Sequence, residues 1–229
     1  MFIVEDEPKS VEAESYRTLR TNIQYSSLDK KLQTIVITSS EPGEGKTTTA
    51  CNLALSFAQA DKKTLLIDCD LRKPTIHKQF KISNLIGLSD VLVGKEEVNN
   101  ILVKYNENLD VLSSGHISPN PSEMINSNVM SNLLNKLKET YEMIIIDSAP
   151  LLAVTDAQLL SVKGDGTILV VKAEKTKKDS IIAAKSLLEK VNANILGIVL
   201  NQVDRTTKKY YYYYGEDGEK KKKKKRSSK

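Results

Sequence analysis

Between Ser39 and Thr49 the chain reads SSEPGEGKTTT, and this stretch carries its most definite chemistry. Gly43 and Gly45 let the backbone close tightly around an anion. The amides of Gly43, Glu44, Gly45, Lys46, Thr47 and Thr48 would then point inward at the start of a helix. In such a loop Lys46 reaches the β- and γ-phosphates of a nucleotide, and the Thr47 hydroxyl ligates Mg²⁺. The general spacing is G-x-x-x-x-G-K-[ST], and here Ser40 occupies its first position. Two further segments carry acids. In LLIDCDLRK, Asp68 and Asp70 stand two apart at the end of an apolar run, which places both on one face of an extended chain. MIIIDSAP sets Asp147 at the end of another such run, a position from which a carboxylate serves Mg²⁺ in nucleotide-hydrolysing folds. Together they predict ATP–Mg²⁺ chemistry. If the phosphoryl acceptor is a hydroxyl rather than water, Asp68 is the expected base. A tyrosine hydroxyl ordinarily titrates near pH 10, so a positioned base helps at neutral pH. Arg72 either offers charge to the phosphates or makes a surface ion pair. Asn201 and Asp204 either contact the adenine or cap a loop.

These groups need elements to hold them at one edge. LQTIVITSS reads as a buried strand, KTTTACNLALSFAQA as a helix and KTLLIDCD as a second strand, which is a βαβ unit with a parallel sheet. YEMIIIDSAP (141–150), GTILVVKA (166–173) and NILGIVLNQVD (194–204) supply three more strands, with a helix over 178–191 between the last two. The expected fold is a doubly wound α/β sheet, whose strand ends bring the acids into one crevice. Residues 85–140 read as mixed and mostly helical. Within them Asn120, Pro121 and Glu123 suit a helix start with a capping box. Residues 1–33 read as an extended lead-in and then a helix from Ser10 to Ser26, with Val11, Tyr16, Leu19 and Ile23 along one stripe.

The chain has 229 residues, 40% of them apolar, enough for a full-sized core. No apolar run approaches the length of a membrane span, and MFIVEDEPKS lacks the features of a secretory signal. Cys51 and Cys69 lie in apolar surroundings and read as buried, reduced thiols. The formal charge of +5 is carried by the end of the chain: residues 220–229 hold eight positive charges, and the remainder is at −3. A mildly acidic body argues against a specific nucleic-acid partner. From about residue 205 the apolar pattern stops. Five consecutive tyrosines, Tyr210, Tyr211, Tyr212, Tyr213 and Tyr214, precede the acidic stretch GEDGE and six lysines. The expected organisation is a domain over 1–204 and a disordered tail over 205–229.

The sequence resembles the bacterial tyrosine kinases (BY-kinases), close to the separate cytoplasmic kinase of Gram-positive capsular polysaccharide systems. The resemblance runs over nearly the whole chain. It is carried by ESYRTLRTNI (14–23), TSSEPGEGKTTTACNLA (38–54), LLIDCDLRKPT (65–75), SPNPSEMI (118–125), YEMIIIDSAP (141–150), TDAQLL (155–160), ILGIVLNQVD (195–204) and the tyrosine cluster. It implies a P-loop NTPase fold of the MinD/ParA-like kind. It also implies ATP-dependent autophosphorylation of the tail tyrosines in trans, regulating capsular or extracellular polysaccharide synthesis or export. Lys46 and Thr47 would then sit at ATP–Mg²⁺, with Asp68 as base and Asp70 and Asp147 around the metal. Glu14, Arg17 and Arg20 match an E-x-x-R-x-x-R element, in the segment over 1–33, that joins subunits into a ring. Their spacing of three places them on one helical face suited to ion pairs. The implied partners are a transmembrane adaptor of the polysaccharide co-polymerase type and a cognate tyrosine phosphatase. The implied location is the cytoplasm, at the inner face of the membrane.

Two other classes are compatible with the phosphate loop. A MinD/ParA-type positioning ATPase would use the tail only to bind surfaces. Such ATPases carry a lysine four residues before the catalytic one, where this chain has Pro42. A non-enzymatic assembly module would use the nucleotide only to set its oligomeric state. The terminal lysine run reads as an anionic-surface contact or a solubilising tail.

Overall fold

The computed structural model describes residues 2–26 and 32–203. Asp204 and the tyrosine and lysine runs lie outside the described residues. Among the described residues there are seven strands, separated by helices except between β3 and β4: β1 (Thr34–Ser39), β2 (Thr64–Asp68), β3 (Val103–Lys104), β4 (Leu109–Leu112), β5 (Met143–Asp147), β6 (Gly166–Lys172) and β7 (Ile195–Asn201). They form one sheet in the order β3-β4-β2-β5-β1-β6-β7. All pairings are parallel except that of β3 with β4. β1, β2 and β5 are buried at every position, which is why their sequences are continuous β-branched and leucine runs rather than alternating ones.

The helices are α1 (Ile3–Asp6), α2 (Val11–Tyr25), α3 (Lys46–Ala58), α4 (Ile76–Phe80), α5 (Leu88–Leu92), α6 (Val98–Ile101), α7 (Pro121–Asn126), α8 (Asn128–Thr140), α9 (Asp156–Lys163) and α10 (Lys178–Lys190). α2 and α3 cover one face of the sheet through Ile23, Leu53 and Phe57. α8 covers the other through Met130, Leu133, Leu134 and Leu137, a stripe at helical spacing. Ser127 opens α8 by accepting a hydrogen bond from the amide of Met130 at 3.2 Å, and Ser10 opens α2 in the same way from Ala13 at 3.1 Å. α1 is pinned to α3: the Val4 amide donates to Asn52 Oδ1, and Gln59 Nε2 donates to the Val4 carbonyl.

Several expectations need correction. The lead-in is not wholly extended, because α1 interrupts it. Val11 is half exposed, and the buried side of α2 is marked by Ala13 and Ile23 instead. Residues 85–140 hold two strands besides helices, and β3 and β4, at two and four residues, are too short to show a period. Asn120 does start α7, but its side chain makes no capping bond. Its carbonyl accepts from the Met124 amide, and its own amide is held by the Ser118 hydroxyl, so no capping box forms.

Candidate functional site

The carboxyl ends of β1, β2, β5, β6 and β7 converge on the loop between β1 and α3. Gly43 and Gly45 both have left-handed φ, +81° and +95°, a conformation that costs other residues about 1–2 kcal/mol. The loop is also tied down from outside. The Asn201 amide at the end of β7 donates to the Glu44 carbonyl at 3.0 Å. Glu44 itself turns back, one carboxylate oxygen accepting from the Glu41 amide at 2.9 Å and the other from the Thr176 hydroxyl. The predicted loop residue Thr48 is exposed on the first turn of α3, whereas Lys46 is buried.

Lys46 Nζ lies 2.9 Å from Asp70 Oδ2 and 3.5 Å from Asp147 Oδ1. The Thr47 hydroxyl donates to Asp147 Oδ2 at 2.6 Å, and the Thr75 hydroxyl donates to Thr47 Oγ1 at 3.1 Å. The parallel register sets Asp68 directly opposite Asp147 on the neighbouring strand. Asp68 is fully buried, and three backbone amides hold its carboxylate: Asp70 on Oδ1, and Thr75 and Ile76 on Oδ2 at 3.0 Å each. Burial and the nearby Asp147 charge raise its pKa to about 7, against the opposing pull of those amides and of Lys46. Burial likewise raises Asp147, although Lys46 and Thr47 oppose it. Burial alone would lower Lys46, but the attraction of Asp147 and Asp70 outweighs it and the ammonium stays charged. Cys69, between the two acids in sequence, is buried with its thiol pushed up, so it is no nucleophile.

The other predicted positions lie farther out. Arg72 makes a two-pronged ion pair with buried Asp156, Nε to Oδ2 at 2.8 Å and NH2 to Oδ1 at 3.1 Å, and NH2 also donates to the Ser122 hydroxyl. That is the ion-pair alternative left open by the sequence. On α2, Arg17 pairs with Glu14 at 3.0 Å and donates to the Pro8 carbonyl. Arg20 donates to the Ser56 carbonyl near the end of α3 at 2.5 Å. All three residues thus sit along one side of α2, with contacts inside the chain.

A family model described as AAA domain matches residues 32–199. Tyrosine-protein kinase YwqD of Bacillus subtilis (strain 168) is 47% identical over 85% of this chain and 83% of its own length. The chain belongs to the bacterial tyrosine kinases. Among solved structures, the chimerical protein CapA2B2 superposes with a TM-score of 0.85 at 43% identity, covering 89% of this chain and 90% of that one. The kinase domain of Escherichia coli tyrosine kinase ETK gives 0.87 at 33% identity, with 93% and 84% covered. The mainly parallel, doubly wound P-loop fold is therefore that of the bacterial tyrosine kinases.

P-loop kinases of this kind bind a nucleotide with a divalent metal. The donors that this kinase offers near Lys46 are all oxygens: the Thr47 hydroxyl and the carboxylates of Asp70 and Asp147. Among the described residues no group of three or more histidine, cysteine or acidic side chains is arranged to hold a metal ion. An open, incomplete oxygen set fits a small hard cation that takes its remaining ligands from phosphates and water.

The kinase site also contains groups that motif reading did not find. Thr75, the side chains of Glu44 and Thr176, and Asp156 with Ser122 carry no spacing signal, although Thr75, Ser122 and Asp156 fall within the family segments LLIDCDLRKPT, SPNPSEMI and TDAQLL. No helix among the described residues is long and apolar enough to cross a membrane.

Two results are expected of the nucleotide-free kinase. The folded state holds the Asp68 proton to about pH 7, whereas an unfolded carboxylate releases it near 3.9. The native state therefore binds more protons between those values, and stability falls as pH rises through that window, then levels off above it. Thermal melts should show Tm dropping by about 2–4 °C per kcal/mol lost between pH 5 and 8, and Asp68→Asn should flatten the slope. Gly45→Ala should weaken nucleotide binding about tenfold or more, read by a binding isotherm. Its Cβ would lie 1.9 Å from the Asn201 amide nitrogen, which must then release Glu44, and the left-handed φ adds strain.

Proposed function

We propose that the chain is an ATP-dependent protein-tyrosine kinase that phosphorylates Tyr210–Tyr214 of a second copy's tail and so regulates capsular or extracellular polysaccharide synthesis or export. Asp68 carries this reading: a buried carboxylate beside the phosphate loop, held by three amides, with a pKa of about 7. That value suits a proton acceptor at neutral pH, and a hydrolase that only orients water does not require it.

In this reading the loop amides and Lys46 bind the β- and γ-phosphates, with Lys46 exchanging its carboxylate partners for phosphate oxygens. Thr47, Asp70 and Asp147 would hold Mg²⁺, which neutralises charge on the phosphates. Asp68 takes the proton of the incoming tyrosine hydroxyl as its oxygen bonds to the γ-phosphorus and the bond to the ADP oxygen breaks. Arg72, anchored by Asp156, stands at the rim of the site. Asn201 borders the nucleotide through its hold on Glu44. Glu14, Arg17 and Arg20 join copies into a ring. A transmembrane adaptor of the polysaccharide co-polymerase type recruits the ring to the inner face of the membrane and activates it, and a tyrosine phosphatase resets it. The domain spans 1–204, and residues 205–229 form the acceptor tail.

The test is to incubate the full chain with ATP–Mg²⁺ and an adaptor fragment and to map phosphates by mass spectrometry. Phosphate is expected on Tyr210–Tyr214. ATP consumed without phosphotyrosine would overturn the reading in favour of a positioning ATPase.

A further inference from the structure

A cavity of about 280 Å³ opens between the phosphate loop and the turn that joins β6 to α10. Glu41, Pro42, Gly43 and Glu44 line one side, and Lys172, Lys175 and Thr176 the other. Beyond Gly43, where a Cβ would meet nothing within 4 Å, the space is open toward the loop tip. Lys177 and Lys178 continue the basic edge at the start of α10 and are exposed.

The charges here are unequally committed. Glu44 is used up by the Glu41 amide and the Thr176 hydroxyl, and Glu41 Oε1 accepts from the Ser180 hydroxyl at 2.6 Å. Lys172, Lys175, Lys177 and Lys178 make no ion pair among the described residues. Glu174 and Asp179 are the other acids of this turn, and both are exposed. Two ammonium groups without an ion pair among the described residues, Lys172 and Lys175, thus line the cavity at the nucleotide loop, and Lys177 and Lys178 follow them in sequence, in a body whose net charge is negative.

The chain supplies a matching segment. Directly after Tyr210–Tyr214 come Glu216, Asp217 and Glu219. An extended chain spans about 3.3–3.6 Å per residue, so these acids trail Tyr212 by roughly 13–25 Å. Acceptor and acid can therefore occupy the phosphate loop and the adjoining lysine edge together. We propose that the cleft edged by Lys172, Lys175, Lys177 and Lys178 docks Glu216–Glu219 of a second copy's tail, presenting that tail's tyrosines to the phosphate loop. This rests on the kinase reading and names its specificity-determining surface. Such contacts act mainly by steering and holding the acceptor, so they belong in the KM for the acceptor.

The test uses, together with an adaptor fragment, the full chain with Tyr210–Tyr214 changed to Phe as enzyme and a peptide of residues 205–229 as acceptor. The peptide is compared with one carrying Glu216→Ala, Asp217→Ala and Glu219→Ala. Lys172→Ala with Lys175→Ala should raise the peptide KM about three- to tenfold, leaving kcat and the KM for ATP unchanged. The neutralised peptide should show the same rise on the unaltered enzyme and no further rise on the lysine variant. Raising salt from about 0.05 M to 0.5 M should erase the difference. An unchanged KM for the neutralised peptide, or additive effects of the two sets of changes, overturns the proposal and assigns the lysines to another part of the second copy or to a different polyanion. No phosphotyrosine from the unaltered pair would instead overturn the kinase reading itself.

Discussion

Lys46→Met should lower tyrosine phosphorylation about a thousandfold or more, and the loss should fall on kcat. A preorganised cation that meets charge developing in the transition state is worth about 10²–10³ in rate by itself, and Lys46 also positions the phosphates. The substitution has a second, separable effect. In the nucleotide-free chain Lys46 is the cation within reach of both Asp70 and Asp147, and removing one partner of a buried pair costs about 3–5 kcal/mol. The Tm of Lys46→Met should therefore fall well below that of the unaltered chain. Activity is compared well below the variant's Tm, where both proteins are folded. Phosphorylation persisting within tenfold of the unaltered chain would remove Lys46 from the chemistry.

Changing Tyr210–Tyr214 together to Phe should abolish incorporated phosphate while leaving nucleotide affinity as it was, because the proposed reading uses those side chains as acceptors and not as part of the nucleotide site. Mixing a Lys46→Met chain, which retains its tyrosines, with an active chain lacking residues 205–229 should restore label on the former alone, the signature of transfer in trans. The same variant reports on assembly. Five phosphates add about −7.5 to −10 charges at neutral pH, comparable with the eight positive charges of residues 220–229. On the proposed reading this nearly cancels the tail's positive charge, and with it the attraction to a body at −3, so rings should loosen. Native mass measurements should show the unaltered chain dissociating on ATP–Mg²⁺ treatment and the Phe variant staying assembled. Rings of equal stability before and after phosphorylation would remove this link.

The sequence revealed the parts of this molecule whose physics is local or repetitive. β1, β2 and β5 are visible because strands buried on both faces must be continuously apolar. The phosphate loop is visible because its glycines and Lys-Thr pair sit at a fixed spacing. Asp68, Asp70 and Asp147 are visible because each terminates an apolar run. What stayed hidden depends on contacts between distant segments. β4 is recognisable through its pairings with β2 and β3. The Asn120 side chain makes no capping bond, and its amide is held instead by the Ser118 hydroxyl. The partner of Arg72 lies 84 positions away, and the amides of Thr75 and Ile76 that orient Asp68 have no side-chain signature at all. The pKa of Asp68 belongs to this hidden class, since it arises from burial beside Asp147 across a strand pair.

The contact of Lys46 with two carboxylates bears on ligand discrimination. In the resting protein the ammonium is already neutralised from within, so a ligand gains little from it unless it can outcompete both acids at once. A nucleoside has nothing to offer, and a monophosphate brings little charge. A triphosphate arriving with a divalent cation would satisfy the lysine and would leave Asp70 and Asp147 a replacement positive charge. The acids thereby act as a toll on weakly charged ligands, and affinity should climb steeply from adenosine through AMP and ADP to ATP with its metal.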